Sequence, residues 1–168
     1  MNMPVRSVVA LAAADAVRRS LVCVLAQMQL RLESMPCDGR HVLSELMQHR
    51  PDLLVLDLQL PGMSGEQAAQ TVLREISLPL RPRILLLREA GQALCHQAEL
   101  EEMGVILIEK PFSQEAFKAA LRRAETEPPR FPPAQLRRIE ARQQSPDHPI
   151  LWNVPETDYL KFYLFQVV

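Results

Sequence analysis

The sequence predicts an α/β protein in which a five-stranded parallel sheet is doubly wound with five helices and followed by a C-terminal extension. Between residues 5 and 124, short apolar runs alternate with segments whose apolar residues recur at helical spacing. Such alternation is typical of strand–helix–strand units, which join parallel strands and place helices on both faces of a sheet. The 168-residue chain is 48% hydrophobic and 23% charged, which is typical of a packed core rather than of disorder.

The first half of this domain is predicted to contain three strands and two helices. Residues 5–11 form an apolar run too short for a helix, which is typical of a strand buried on both faces. Asp15 is predicted to cap the first helix. An edge strand is predicted at residues 29–33, and a buried strand at residues 53–56 ends in Asp57. Apolar residues at helical spacing predict the two helices: Val17, Leu21, Val24, Leu25 and Met28, then Val42, Leu43, Leu46 and Met47.

The second half is predicted to add two strands and three helices. Ser64 and Gln67 have the spacing of a capping box, in which two side chains satisfy backbone groups at a helix start. Strands are predicted at residues 84–87 and 105–108, with a weakly amphipathic helix over residues 93–103 between them. The other two helices are predicted from Ala68, Val72, Leu73 and Ile76, and, after Ser113 as a cap, from Phe117, Ala120, Leu121 and Ala124.

The composition changes after residue 124. Residues 1–124 are predicted to form the α/β domain, and residues 125–149 a proline-rich linker in which 134–143 has the pattern of a short charged helix. Residues 150–168 are predicted to form a docking segment that holds five of the chain's eight aromatic residues: Trp152, Tyr159, Phe162, Tyr163 and Phe165. An exposed segment this apolar would promote aggregation, so we expect burial against its own domain, a second copy or a foreign partner, with the first two favoured.

Charge, hydropathy and cysteine content argue against several functions. The formal net charge of −1 leaves no basic footprint for nucleic acid. No apolar run approaches the ~20 residues that a membrane span needs, so no membrane partner is expected. The amino terminus imitates a signal peptide, but the same residues are needed as the first strand. Cys23, Cys37 and Cys95 are odd in number and lack metal-binding spacing, which predicts reduced, mostly buried thiols and a cytoplasmic protein.

Three stretches carry a family resemblance. The stretch PDLLVLDLQLPGMSG at residues 51–65 places Asp57 between a buried strand and a turn, and Lys-Pro-Phe at residues 110–112 follows the last strand. Together with AVRRSL at residues 16–21, they resemble the receiver domain of bacterial response regulators, which has the CheY-like fold. The resemblance covers the α/β domain alone. It implies phosphoryl transfer to Asp57 from a partner histidine kinase, with Mg²⁺ and the lysine neutralising the anionic group.

The sequence departs from the family pattern at most positions that the resemblance marks as functional. The acidic pair that would bind Mg²⁺ falls on Ala12 and Ala13, so no metal ligand set is expected and Mg²⁺ binding should be weak or absent. Three further pocket positions are altered: Leu87 stands for a hydroxyl residue, Arg88 for a small residue and Leu107 for the switch aromatic. Asp57 and Lys110 keep the residue types of the family. No other cofactor is expected.

Asp57 has two interpretations. It is either a phosphoacceptor or a structural carboxylate that pairs with Lys110, Arg88 or both. Without neighbouring acids there is no like-charge repulsion for a metal ion to offset, and a cation can pair with Asp57 directly. We therefore expect a structural ion pair at this position.

These features predict a pseudo-receiver: a receiver-like protein of two-component phosphorelay signalling that acts through protein–protein interaction and is not an enzyme. Its expected partner is a protein of such a pathway or a second copy of the chain. One alternative is a genuine response regulator that is phosphorylated on Asp57. The other is an assembly or scaffold protein that reuses the fold, since a fold does not determine a function.

Overall fold

The computed structural model describes residues 5–76 and 81–127 of the chain. Within these residues, strands and helices alternate along the sequence. The strands are β1 (Ser7–Leu11), β2 (Arg31–Ser34), β3 (Leu53–Asp57), β4 (Arg83–Glu89) and β5 (Ile106–Lys110). The helices are α1 (Asp15–Gln27), α2 (Val42–His49), α3 (Gly65–Glu75), α4 (Gln97–Glu102) and α5 (Gln114–Thr126), and a short 3₁₀ turn, Gly39–His41, precedes α2.

The five strands form one parallel sheet in the order β2-β1-β3-β4-β5. The chain moves outward from β1 to β2 and then returns across β1 to add β3, β4 and β5 in turn. The order therefore reverses between β1 and β3, and a crevice opens above the carboxyl ends of those two strands. In sheets of this kind ligands bind at that crevice. The predicted parallel sheet is confirmed.

Two separate apolar cores lie on the two faces of the sheet, because neighbouring residues of a strand point to opposite faces. In the central strand β3, Leu53 and Val55 pack with α1 and α5, whereas Leu54 and Leu56 pack with α2, α3 and α4. Phe117 is the largest fully buried side chain of the first core. This arrangement explains why β3 is an unbroken apolar run, since both of its faces are covered.

Several element boundaries differ from those predicted. The first strand begins at Ser7, the second runs over Arg31–Ser34, and the fourth and fifth extend to Glu89 and Lys110. Helix α4 is much shorter than predicted, since only Gln97–Glu102 is helical. The last helix continues to Thr126, past the domain boundary predicted at residue 124.

The prediction that Asp15 caps the first helix is wrong. Ala14 is at the cap position, with extended backbone at φ −72° and ψ 128°, and makes no side-chain cap hydrogen bond. Asp15 is the first residue of α1, so its carboxylate contributes through its charge near the positive end of the helix dipole. The other two predicted caps are confirmed: Ser64 and Gln67 form a full capping box, and Ser113 accepts from the backbone N–H of Ala116.

The prediction of mostly buried thiols is also wrong. Cys23, Cys37 and Cys95 are all free and exposed. The buried face of α1 is formed by Leu21, Val24 and Leu25. Cys23 lies two residues beyond Leu21, and side chains two apart on a helix do not share a face.

The predicted linker at 125–149 lies outside the described residues from residue 128 onward, as do the predicted helix at 134–143 and the predicted docking segment at 150–168. Among the residues that the structure describes, no helix is long and apolar enough to cross a membrane.

Candidate functional site

Asp57 is the last residue of β3 and lies at the crevice where the strand order reverses. Its side chain is fully buried. The Oδ1 atom accepts hydrogen bonds from Lys110 Nζ at 2.9 Å and from the backbone N–H of Gln59 at 3.1 Å. Within the described part of the chain, the Oδ2 atom is buried and has no hydrogen-bond partner. A carboxylate with one satisfied and one unsatisfied oxygen is therefore held at the centre of the site.

Lys110 is the last residue of β5 and contacts the carboxylate of Asp57. Its Nζ atom donates to Asp57 Oδ1 and to Glu89 Oε1, both at 2.9 Å, and its side chain is only 8% exposed. Burial by itself would lower the pKa of Lys110, but the hydrogen bonds and negative charge of Asp57 and Glu89 outweigh it, so the pKa is raised above its usual value. The predicted ion pair between Asp57 and Lys110 is confirmed, and the lysine is held in its charged form.

Ala12 and Ala13 lie directly after β1, on the other side of the crevice. Ala12 is fully buried and Ala13 is half-buried. The guanidinium of Arg18 reaches back from α1, where its Nη1 atom donates to the carbonyls of Ala12 and Met35, each at 2.8 Å. The end of β1 is thus stabilised by backbone and arginine contacts, and it supplies no side-chain oxygen to the site.

The structure places the other three predicted pocket positions, Leu87, Arg88 and Leu107, in three different surroundings. Leu87 pairs with Asp57 in the sheet register and is fully buried in the core beside α1 and α5. Leu107 is half-buried in the opposite core. Arg88, the alternative cation partner for Asp57, instead contacts Glu109 at 2.9 Å and Gln97 at 3.0 Å. It points away from Asp57 because side chains of adjacent residues in a strand alternate, and its neighbour Leu87 faces the first core.

Gly65 allows α3 to begin directly beside Asp57. A Cβ atom on Gly65 would lie 2.2 Å from the carbonyl oxygen of Asp57, closer than any side chain can approach a backbone oxygen. The backbone N–H of Gly65 instead donates to the carbonyl of Leu58 at 3.1 Å. This close contact places α3 at the carboxyl end of β3.

Two residues of the site were not singled out from the sequence. Glu89 is the second partner of Lys110, and Arg18 supports the end of β1. The opposite charges of Glu89 and Lys110 at the ends of two predicted neighbouring strands were a usable signal, because those residues face each other in the register. Arg18 lies within the family-like stretch at residues 16–21, but nothing in the sequence marked its side chain as part of the site, because its acceptors are backbone carbonyls.

The residues present do not fit a magnesium ion. Mg²⁺ prefers an octahedron of oxygen ligands, usually with one or two carboxylates and several waters. Among the described residues, no three His, Cys, Asp or Glu side chains come together as a set that could hold a metal ion. At this site the free acceptor is Oδ2 of Asp57, while Oδ1 is already bonded to a cation.

A doubly wound parallel sheet with an aspartate at the end of its third strand and a lysine at the end of its fifth defines a receiver-like α/β domain. The sequence model of the response regulator receiver domain matches residues 13–122. Because this match covers more than half of the 168 residues, the chain belongs to the response regulator receiver domain family. Receiver domains are modules of two-component signalling.

Solved structures of receiver domains share the fold of this chain. The receiver domain of a sensor histidine kinase from Pseudomonas aeruginosa, which holds a magnesium ion in its active site cleft, is 18% identical, with a TM-score of 0.61 over 73% of this chain and 98% of that one. The chemotaxis protein CheY4 of Vibrio cholerae is 21% identical, with a TM-score of 0.59 over 71% and 98% of the two chains. The response regulator domain of Thermotoga maritima CheB is 18% identical, with a TM-score of 0.59 over 74% and 99%. The predicted CheY-like fold is thereby confirmed.

Proposed function

We propose that this receiver domain is a pseudo-receiver, which takes part in two-component signalling through protein–protein contacts without Mg²⁺-dependent phosphorylation. The single observation that carries the proposal is the pair Ala12 and Ala13 directly after β1, so that this strand contributes no carboxylate to the crevice. Phosphoryl transfer needs a cation that bridges the acceptor and the anionic group. Without a carboxylate from the end of β1 beside Asp57, this site has little affinity for that cation.

The contact between Asp57 and Lys110 supports the same proposal. In a working receiver the lysine helps to neutralise the group that is transferred to the aspartate. Here the two side chains neutralise each other at 2.9 Å inside the protein, so the pair is stable without an added group.

The proposed partner is a protein of a two-component pathway or a second copy of the chain, and the protein is not an enzyme. Without a metal ion to position and neutralise an incoming phosphoryl group, the output of the protein would come from the surface of the domain. We place the protein in the cytoplasm, where thiols such as its three free cysteines remain reduced.

A second candidate function is that of a phospho-accepting response regulator with weak metal binding. The observation that favours it is Oδ2 of Asp57, which is buried and without a partner among the described residues. Buried polar atoms are normally satisfied by a protein group, water or an ion. A phosphoryl group on that oxygen would have Lys110 beside it as a counter-charge.

Two measurements on the full chain distinguish these functions. In the first, Mg²⁺ is titrated into ¹⁵N-labelled protein while the amide shifts of Asp57 and Gln59 are followed, and we expect no saturation below ~1 mM. In the second, the protein is incubated with acetyl phosphate and Mg²⁺ and its intact mass is measured, and we expect no added phosphoryl group. Asp57→Asn is the control, because a phosphoryl group that is added at Asp57 of the natural chain would not be added to this variant.

A gain-of-function variant tests whether the lack of carboxylates at Ala12 and Ala13 is the reason for weak Mg²⁺ binding. The double substitution Ala12→Asp and Ala13→Asp supplies two carboxylates, and we expect it to bind Mg²⁺ more tightly than the natural chain. Stoichiometric addition to Asp57 in the natural chain, or saturation by Mg²⁺ well below ~1 mM, would show that the domain is a working receiver.

A further inference from the structure

Helix α4 is weakly stabilised by its own sequence. It has six residues, QAELEE, well below the ~12 residues at which isolated helices become even marginally stable. Three of those residues are acidic and none is basic, and Glu101 and Glu102 lie at the end of the helix where the dipole disfavours negative charge. Leu100 is its one buried residue.

Polar contacts from two other elements hold the amino-terminal end of α4. Glu66 of α3 accepts the backbone N–H of His96 at 2.6 Å and contacts the ring of the same residue at 3.3 Å. Arg88 of β4 donates through Nη1 to the side chain of Gln97 at 3.0 Å and to the carbonyl of Gln92 at 3.4 Å. The start of α4 is thus attached to both α3 and β4.

Arg88 is itself anchored to the neighbouring strand. Its Nη2 atom contacts Glu109 at 2.9 Å, and the two residues face each other in the register of β4 and β5. The guanidinium of Arg88 on β4 therefore contacts α4 through Nη1 and β5 through Nη2, two nitrogens that are held in one plane. The next pair in the register, Glu89 and Lys110, belongs to the Asp57 site.

We propose that Arg88 is a latch that fixes the amino-terminal end of α4 against β4 and β5, and that Glu66 is a second attachment point of the same helix. This proposal does not rest on whether Asp57 accepts a phosphoryl group. The contacts that hold α4 come from Arg88 and Glu66, neither of which bonds to Asp57. The surface formed by α4 and β5 is therefore held in one arrangement by the protein's own side chains.

The experiment is native-state hydrogen exchange of the ¹⁵N-labelled full chain. The reporters are the amides of Leu100 and Met103, which donate to the carbonyls of His96 and Glu99 inside the helix. The amide of Val55 in the central strand reports global unfolding. In Arg88→Ala we expect exchange of the two α4 amides to be about tenfold faster relative to Val55, as expected for the loss of a charge-assisted contact.

Two further variants distinguish a latch from a general loss of stability. Arg74→Ala is the matched control, because among the described residues Arg74 pairs with Glu75 at an exposed position, and exchange of the α4 amides should not change in this variant. Gln97→Ala removes the helix end of the contact and also the hydrogen bond from Gln97 Nε2 to Glu101 inside α4 at 3.1 Å. In a double-mutant cycle the contact of Arg88 is shared by both changes, so the double variant should exchange more slowly than the product of the two single effects predicts. If Arg88→Ala does not fold, Gln97→Ala tests the same contact. Exchange of Leu100 and Met103 that stays unchanged, or that rises only in parallel with Val55, overturns the proposal.

Discussion

At the residue scale, the buried charge of Asp57 depends on Lys110 more than the charge of Lys110 depends on Asp57. Lys110 has a second carboxylate partner in Glu89, which is half exposed. The carboxylate of Asp57 is fully buried, and its other described hydrogen bond comes from a neutral backbone N–H. Removing the lysine leaves a buried, uncompensated negative charge, whereas removing the charge of Asp57 leaves the lysine paired.

We therefore expect Lys110→Met to lower the free energy of unfolding by about 3 kcal/mol, the usual cost of breaking a buried pair from one side. Asp57→Asn should cost distinctly less, because Glu89 still neutralises Lys110. Urea denaturation of the two variants and the natural chain measures both values. Equal costs, or a larger cost for Asp57→Asn, would contradict the asymmetry.

The same pair predicts a pH dependence of stability. Burial alone would lower the pKa of Lys110, but Asp57 and Glu89 raise it above its usual value. A group whose pKa is higher in the folded state stabilises the fold fully below its unfolded pKa, near ~10.4 for lysine, and loses that contribution as the pH rises through the folded pKa. The difference in unfolding free energy between the natural chain and Lys110→Met should therefore stay constant from neutral pH to about pH 9.5 and shrink above about pH 10.4. Urea denaturation at a series of pH values measures it, and a difference that shrinks below pH ~9 would be inconsistent with a raised pKa.

At the scale of single elements, the starts of α1 and α3 differ in how they are stabilised. Helix α3 has a reciprocal capping box, in which Ser64 and Gln67 each satisfy a backbone N–H of the other residue. Helix α1 has no side-chain cap, and Asp15 acts only through its charge in the first turn. The start of α3 therefore depends on neutral hydrogen bonds, whereas the start of α1 depends on an electrostatic interaction that salt screens.

Ser64→Ala should lower the free energy of unfolding by about 1 kcal/mol, and the loss should not depend on salt. Asp15→Ala should cost a few tenths to about 1 kcal/mol at low ionic strength, and the cost should approach zero at high salt, because salt screens the dipole interaction. Urea denaturation of both variants at low and high ionic strength separates the two. A cost for Asp15→Ala that persists at high salt would indicate a hydrogen-bonded cap instead.

At the scale of the whole molecule, the sequence predicts that the aromatic segment 150–168 is buried. Its five aromatic residues would bury ~150–250 Å² each, which at ~25 cal/mol per Å² amounts to several kcal/mol before ordering entropy is subtracted. This is comparable with the net stability of a small domain. Deleting residues 145–168 should therefore lower the melting temperature, change the oligomeric state, or both. Calorimetry measures the melting temperature, and light scattering measures the oligomeric state. The control is the full-length chain in which the five aromatic residues are replaced by serine. A truncated protein identical to the full chain in both respects would show that the segment is not a docking element.

The elements that were predicted well depend on neighbours close in the sequence. Strand β3 was evident from five consecutive apolar or site residues, and the Ser64–Gln67 capping box from two residues three apart. The two amphipathic faces of α3 and α5 follow from helical periodicity, which a short window of sequence records in full. The observed ends of several strands and of α5 differ from the predicted ends. Helix α4 is shorter than predicted, because its start depends on Glu66 and Arg88 from other elements.

The sequence by itself determined the doubly wound fold, the position of Asp57 at a strand end and the absence of acids at Ala12 and Ala13, since these follow from residue types and local spacing. The tertiary structure alone decided which cation meets Asp57. The sequence left Lys110, Arg88 or both as partners of Asp57. Strand alternation directs Arg88 toward Gln97 and Glu109, and the register of β4 and β5 places Glu89 beside Lys110. The contact of Arg88 with Gln97 joins residues 9 positions apart, and those of Arg88 with Glu109 and of Lys110 with Asp57 join residues 21 and 53 positions apart. Their geometry is set by the packing of the sheet, which the spacing of residues along the chain does not encode.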